Sequence, residues 1–471
     1  MTNKRKNTTR REFLTKTGIV TAGMTLGVNG MSAISYNRII GANEKVRVGF
    51  IGVGNRGSQL LSTFMDMADC EVAALCDVYE PYITRDRSKV DPRYIKATPS
   101  QIPKMGEVFP TKVERYLEYR KLLDNKSIDA VCIATPDHWH ALHTIHSIEA
   151  GKDVYIEKPV SKTIEEGRAM INAAKNSKQI VTVGLNRRAA STFQQLAKDI
   201  PAGKIGKVTF ASACYVSNMF PSGIGKLKPE NPPKDFNWDA WLGPRAYRPY
   251  QYNIAPYRFR WWEDYSNQIG NNGVHYLDLI RWMLNEVAPV EINANGSKLA
   301  VDDDRTIPDT MQVTYEFPSG VLVSMQVLEA SSGSFVPYGF IELRGTKGTL
   351  LTGENDYKIV PARAGQFQTW DKLIEAETIN LEKPKEKFLT DGKYRDSTAN
   401  LIRNFLDCIK SRKESFSTLE EGHRSSSLAH LGTIAMVTRE RLKWDASNER
   451  FINSEKANQM LGYEYRKPYK L

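Results

Sequence analysis

The stretch spanning residues 46–77, VRVGFIGVGNRGSQLLSTFMDMADCEVAALCD, constrains this chain more than any other. An apolar run over 46–53 reads as a buried strand. It carries Gly52 and Gly54 and leads to Gly57, at G-x-G-x-x-G spacing. A helix pattern follows over 58–67, and a second apolar strand, 71–76, ends on Asp77. Each part has a physical use. Gly52 permits a tight turn, Gly54 lets a pyrophosphate approach the backbone, and Gly57 lets helix and strand pack closely. The helix N-terminus, next to Asn55 and Arg56, offers free N–H groups and a positive dipole end to phosphates. Asp77, twenty residues beyond Gly57, stands where a carboxylate accepts hydrogen bonds from a ribose diol. Three glycines alone are often only a turn. Strand, glycines, helix, strand and acid at these offsets read together as a dinucleotide site. Asp77 would repel a 2′-phosphate and no Arg directly follows it, so the expected cofactor is NAD rather than NADP.

Strand–helix alternation continues beyond this unit. An irregular, charged segment over 78–110 is followed by a predicted helix over 113–123 and a strand over 130–135. A helix over 140–150, a strand over 153–156, a helix over 164–177 and a strand over 180–185 come next. Near-unbroken apolar strands between helices predict a parallel sheet covered on both faces. From residue 186 the texture changes. Stretches 207–216, 311–317, 321–327 and 340–343 alternate as half-buried strands do, which predicts an open, mostly antiparallel sheet. An aromatic, Pro-rich stretch over 235–265 reads as ordered irregular structure lining a site or an oligomer contact. Helices over 398–412 and 421–442 close the chain. The expected fold is α/β: a dinucleotide-binding domain over 44–187, then a substrate and oligomerisation domain over 188–471, in a homo-oligomer.

Residues 1–43 read as a targeting segment. Basic residues lead through Thr9-Arg10-Arg11-Glu12-Phe13-Leu14 into a weakly apolar, Gly-containing run. The paired arginines resemble the bacterial twin-arginine export signal, which predicts a periplasmic or otherwise exported protein and the twin-arginine machinery as a partner. The bland alternative is a basic tail. The formal net charge of +11 is concentrated partly in this stretch. No later segment joins a dense basic stripe to a nucleic-acid motif, so nucleic-acid binding is not expected. The five cysteines form neither a disulfide framework nor a metal-ligand spacing.

Two further constellations carry chemistry. Lys158, in Tyr155-Ile156-Glu157-Lys158-Pro159, follows a parallel strand at its carboxyl end, where ligands sit. The following Pro holds Lys158 extended. From there its ammonium can hydrogen-bond a substrate hydroxyl; the alternative is a surface lysine paired with Glu157. In Gly270-Asn271-Asn272-Gly273-Val274-His275-Tyr276-Leu277-Asp278, residues Asn271, His275 and Asp278 share one helical face. His275 is placed to take or relay a hydroxyl proton; the alternative is a buried structural histidine. Arg187, after the last parallel strand, is a weaker substrate-contact candidate.

These stretches together resemble the glucose–fructose oxidoreductase/inositol dehydrogenase (Gfo/Idh/MocA) family. The resemblance rests on GFIGVGNRG, CIATPDHWHA, EKPVSKTIEEGRAM and GVHYLDL and runs from Lys45 onward. It implies a Rossmann domain, an α/β domain with an open sheet, NAD or NADP, and oxidation or reduction at a sugar or polyol carbon. It also implies that Lys158 and His275 are catalytic and that the Lys158–Pro159 bond is cis. It further implies that Thr135, Pro136, Asp137, His140, Glu157 and Lys158 take positions at the cofactor. Two departures stand out. The family often has Asp where this chain has Asn271, and an amide cannot be a general base, so Asn271 orients substrate or His275. The family often has Pro-Asn where this chain has Pro136-Asp137. The family includes members that use NAD for transient oxidation during glycoside cleavage, but EKP differs from the altered motif associated with those hydrolases. Net dehydrogenation of a sugar, glycoside or polyol is therefore the favoured reading. Redox-assisted glycoside cleavage and non-catalytic carbohydrate binding are the alternatives.

Overall fold

The computed structural model describes residues 45–333, 339–353, 356–379 and 396–471. The export-signal reading of 1–43 lies outside them. Six parallel strands form the first sheet: β1 (Val46–Ile51), β2 (Cys70–Cys76), β3 (Glu114–Tyr116), β4 (Ala130–Ile133), β5 (Asp153–Ile156) and β6 (Val181–Val183). Their order is β3-β2-β1-β4-β5-β6. β1 is central, flanked by β2 and β4, and its apolar run is buried because helices cover both faces. The chain order reverses between β1 and β4, which opens a crevice at the carboxyl ends of these strands.

Among the described residues, six helices reach ten residues: α1 (Asn55–Met65), α2 (His140–Glu149), α3 (Ile164–Lys175), α4 (Val274–Leu284), α5 (Ser397–Ser411) and α6 (Leu419–Thr438). α3 begins with a reciprocal cap between Thr163 and Glu166. The predicted helix over 113–123 is corrected. Glu114–Tyr116 pairs with β2 as an edge strand, and the helix starts only at Tyr119, where the Glu118 side chain accepts from Arg120 N. The segment over 78–110 holds two short helices, Glu80–Thr84 and Pro92–Ala97, each with Pro in its first turn.

The second sheet has ten strands among the described residues. They are β7 (Val208–Val216), β8 (Glu291–Ser297), β9 (Thr310–Glu316), β10 (Leu322–Leu328), β11 (Ile341–Gly345), β12 (Gly348–Thr352), β13 (Tyr357–Pro361), β14 (Glu377–Ile379), β15 (Leu442–Asp445) and β16 (Arg450–Phe451). The order is β14-β13-β12-β11-β7-β10-β9-β8-β15-β16, and the β7–β10 pair is parallel in an otherwise antiparallel sheet. α4 and α6 pack on one face through an apolar cluster that includes Leu277, Ile280, Val313, Tyr315 and Leu431. α6 stops before the predicted residue 442. Arg439 takes a left-handed conformation (φ 57°), and the chain turns into β15.

α5 returns to the first sheet. Phe405 packs edge-on against Phe64 of α1 and Tyr155 of β5, with ring centroids 6.3 and 5.8 Å apart, and Arg403 pairs with Asp69 at 2.6 Å. This packing fixes the substrate half of the molecule against the strand that delivers Lys158.

Candidate active site

A cavity of about 1120 Å³ lies at the carboxyl ends of the parallel strands and is closed on its other side by residues of the second sheet, α4 and the 235–265 stretch. At its floor β1 turns sharply. Gly52 has φ 86°, and a Cβ there would come within 2.8 Å of Thr135 N. Gly54 caps α1, no side chain bonds to the freed N–H groups, and the first turn holds no acid. This helix end is open to phosphate. Gly52, Gly54, Asn55 and Arg56 line the cavity. Gly57 does not: a Cβ on it would sit 2.0 Å from the Gly52 carbonyl oxygen, so it serves helix–strand packing rather than contact.

Asp77 closes the adjoining turn. Its carboxylate accepts from Val53 N at 2.9 Å and Tyr79 N at 3.0 Å while its side chain lines the cavity. Burial pushes it up to about 6, against those backbone donors. These features fit a dinucleotide: a bare helix end for the pyrophosphate and a carboxylate for a ribose diol.

Thr135, Pro136 and Asp137 follow β4 and line the wall. The Asp137 carboxylate is explained by Ser266, whose hydroxyl donates to it at 2.5 Å from the 235–265 side, so it ties the two walls together. His140 is corrected. It is buried, with its ring nitrogens within hydrogen-bond distance of the carbonyl oxygens of Pro159 (2.6 Å) and Thr135 (2.9 Å). It braces the loops after β4 and β5 and does not line the cavity.

After β5, Glu157 is occupied by Arg56, whose Nε donates at 2.7 Å. Lys158 therefore does not take the surface pairing with Glu157. Its Nζ reaches across the cavity to Asn271, donating to the backbone carbonyl and, at 3.2 Å, to Oδ1. The Lys158–Pro159 bond is cis. Burial pulls the Lys158 ammonium down to about 8. Arg260 and Arg56 act the same way, and Glu157 and Asp137 oppose them.

Asn271 lies in a π-helical turn, Ile269–Gly273, that runs directly into α4. Such turns are rare and concentrate at functional sites. The turn presents Asn271 and His275 to the cavity and sends Asp278 elsewhere. Asp278 is buried in an ion pair with Arg188 (2.7 Å) and accepts from Ser425, so the expected three-residue face is split. Burial holds His275 well below the usual histidine range, and nearby Lys158, Arg187 and Arg56 add to this. The ring is therefore held neutral, and the same burial and neighbouring cations oppose its protonation. The Arg187 guanidinium lies over the Tyr276 ring, 5.3 Å from its centroid, in the same wall.

Several lining residues are absent from the sequence reading. Tyr215, Tyr257, Phe259 and Arg260 form the substrate-side wall, in part from the aromatic stretch that was expected to line a site. At the far end Trp139 stacks on His143 at 4.5 Å, with Tyr119 and Tyr469 at their edges. The PDHWHALH segment after β4 carried a signal for Trp139 and His143, whereas nothing near Tyr469 marked it. Arg85, behind the glycine turn, donates to Val53 O at 3.0 Å and Ser58 Oγ at 2.9 Å and holds the turn in place.

Family models match both halves of the chain. The NAD-binding Rossmann model of the Gfo/Idh/MocA oxidoreductases matches residues 46–185, and the family's C-terminal α/β model matches 192–355 and 384–471. The chain is 30% identical over 226 residues to an alpha-N-acetylgalactosaminidase of Shewanella oneidensis, covering 45% of this chain and 47% of that protein. It is also 30% identical over 227 residues to glycosyl hydrolase family 109 protein 1 of Shewanella sp. strain ANA-3, with the same coverage. The chain thus spans about half the length of the curated relatives it matches. Among solved structures, the WlbA dehydrogenase of Bordetella pertussis, in complex with NADH and UDP-GlcNAcA, superposes with a TM-score of 0.59 at 18% identity, over 85% of this chain and 99% of that one. A levoglucosan dehydrogenase in complex with NADH gives the same four values. The aldose-aldose oxidoreductase of Caulobacter crescentus gives a TM-score of 0.57 at 17% identity, over 85% and 100% of the two chains. At these identities the structures speak for the fold alone. The two family models together cover most of the sequence, and the chain belongs to the Gfo/Idh/MocA family of NAD-binding oxidoreductases.

Proposed function

We propose that this protein removes hydride from a hydroxyl-bearing carbon of a sugar, glycoside or polyol. The observation that carries the reading is the convergence of Lys158 and His275 on one cavity, with Lys158 anchored on the turn that leads to His275. NAD, when bound, supplies the hydride acceptor. Neutral His275 accepts the hydroxyl proton, directly or through Lys158. The Lys158 ammonium stabilises negative charge as it develops on the substrate oxygen. Asn271, unable to act as a base, holds Lys158 in place. Arg187, Tyr276 and Arg260 are positioned to contact the rest of the substrate.

The cofactor assignment is NAD rather than NADP. Asp77 is the group at the ribose position, and Arg120, which lines the cavity near Glu118 and Tyr119, is engaged by both of them.

A second reading is redox-assisted glycoside cleavage, in which the same hydride removal activates a neighbouring C–H bond. It is favoured by one observation, the family 109 glycosyl hydrolase names of the curated relatives. Non-catalytic carbohydrate binding is the remaining alternative, and the paired Lys158 and His275 argue against it. The test is single-turnover mixing of NAD-loaded protein with candidate hexosides and polyols. Reduced nucleotide with an oxidised sugar supports dehydrogenation. Release of free aglycone without accumulated reduced nucleotide assigns glycoside cleavage.

The export reading is likewise part of this proposal: Arg10 and Arg11 direct the folded protein through the twin-arginine route to the periplasm, where it works as a homo-oligomer. Replacing both arginines by Lys should leave active protein in the cytoplasm, and unchanged fractionation would refute it.

A further inference from the structure

Asn271, half-buried in the cavity wall, is the end of a chain of hydrogen bonds that runs out from the buried core. The chain starts at Glu329, which is fully buried and paired with fully buried Arg305 at 2.7 Å. The Trp261 indole N–H donates to both Glu329 oxygens at 3.0 Å. A third donor, Gln268 Nε2, reaches Glu329 Oε1 at 2.8 Å. Burial raises Glu329 to about 7 against Arg305 and Trp261, and above that pH the carboxylate, ringed by donors, only accepts, which sets the Gln268 amide with its NH2 toward Glu329. Gln268 Oε1 then faces the other way, where it accepts from Asn272 Nδ2 at 2.8 Å and Asn271 Nδ2 at 3.4 Å. With its NH2 directed at Gln268, Asn271 turns Oδ1 toward Lys158, 3.2 Å from Nζ.

We propose that Glu329 and Gln268 are positioning residues for the reaction: they impose a donor–acceptor polarity that fixes the Asn271 amide so that its oxygen, not its NH2, faces Lys158. The proposal rests on the reading of Lys158 as the group that meets the substrate hydroxyl. It also accounts for the amide at position 271. An Asp there would set a carboxylate oxygen against Gln268 Oε1, two acceptors face to face, while Glu329 forbids Gln268 to turn round. Glu329, Arg305 and Gln268 are buried, so a Gln268 amide reversed against Glu329 leaves unpaired polar groups at a cost that decides its orientation, while half-buried Asn271 and Asn272 take their orientation from Gln268 at the cavity wall.

The test reads Lys158 itself and needs neither substrate nor nucleotide. Purified full-length protein is labelled with acetic anhydride across a pH series, and the extent of labelling is measured by peptide mass spectrometry. Exposed Lys89 serves as the internal reference. Gln268→Met keeps the side chain's length and leaves Glu329 to Arg305 and Trp261, but releases Asn271 to reverse. The ammonium then loses an acceptor, its titration midpoint falls, and Lys158 labels about fivefold faster at pH 7, as a drop of roughly one pH unit gives. In an Asn271→Ala background the same Gln268→Met substitution should change nothing, because the group that transmits the effect is gone. Equal changes in both backgrounds, or no change in either, overturn the proposal. Should Gln268→Met fail to fold, Glu329→Gln, which lets Gln268 face either way, is read by the same two outcomes. Failure of the wild-type protein to oxidise any carbohydrate would refute the functional reading while leaving the labelling result intact.

Discussion

Gly57 sits directly beneath Gly52: a Cβ on Gly57 would lie 2.0 Å from the Gly52 carbonyl oxygen. Backbone meets backbone there, and no side chain can swing aside. Gly57→Ala should therefore displace α1, costing at least the ~1–3 kcal/mol typical of overpacking. Gly54 differs, since the nearest atom to its added Cβ is Tyr82 Cε2 at 3.5 Å, an ordinary contact. Gly54→Ala should melt near the wild-type temperature yet bind nucleotide more weakly, while Gly57→Ala loses both. Thermal melts beside nucleotide titrations check the contrast.

Lys158→Ala and His275→Ala should each slow hydride transfer ~10²–10⁴-fold, the usual cost of losing one acid–base group. Nucleotide affinity should change little, because Gly52, Gly54 and Asp77 belong to the other end of the cavity. Both groups serve one proton transfer, so the double variant should be little slower than the slower single one. Single-turnover kinetics with an active sugar check this. Full activity in Lys158→Ala would remove the mechanism.

Asp77 gives the cofactor preference a pH dependence. Burial raises it to about 6, so it is ionised at pH 8 and substantially protonated at pH 5. An ionised carboxylate repels a 2′-phosphate and a protonated one does not. The ratio of NADP to NAD dissociation constants should thus shrink as pH falls from 8 to 5, and Asp77→Asn should flatten the dependence. Tighter NADP binding at pH 8 would refute the assignment.

Glu449 links α3 to α6 through Arg168 at 2.7 Å and His423 at 2.7 Å. Burial alone would raise its pKa, but hydrogen bonds from Arg168 and His423 hold it down to about 2, below the 4.5 of a free glutamate. The unfolded chain therefore takes up this proton first. The pair's stabilisation is complete above pH 4.5 and disappears as pH falls through 2, for a total of roughly 2–3 kcal/mol. Glu449→Gln should be less stable than wild type at pH 6, with the gap closing toward pH 2. Urea unfolding at several pH values measures it.

The glycine turn, the strand after it and Asp77 were legible because each is a local pattern with one physical purpose. The apolar strands of the first sheet were legible for the same reason, since burial on both faces leaves an unbroken apolar run. β8, with Asn293 and Asn295 on its outward positions and Gly296 facing inward toward Met436, is poor in β-forming residues and shows itself only by pairing with β9. His140 was misjudged because a histidine beside a cofactor strand reads alike whether it faces the ligand or, as here, two backbone carbonyls. Asn271, His275 and Asp278 were placed on one face by counting regular helical turns. The π turn breaks that count, and no composition signal announces it. The Gln268–Glu329 bond joins residues far apart in sequence and is invisible until the chain folds.

The cavity wall draws on residues from Ile51 to Tyr469. A ribosome delivers the glycine turn early and Tyr469 only after the whole second sheet and α6 have emerged. A nucleotide meeting the growing chain would find a floor without its far wall. The finished pocket exists only once synthesis has passed Tyr469 and that segment has packed against Trp139.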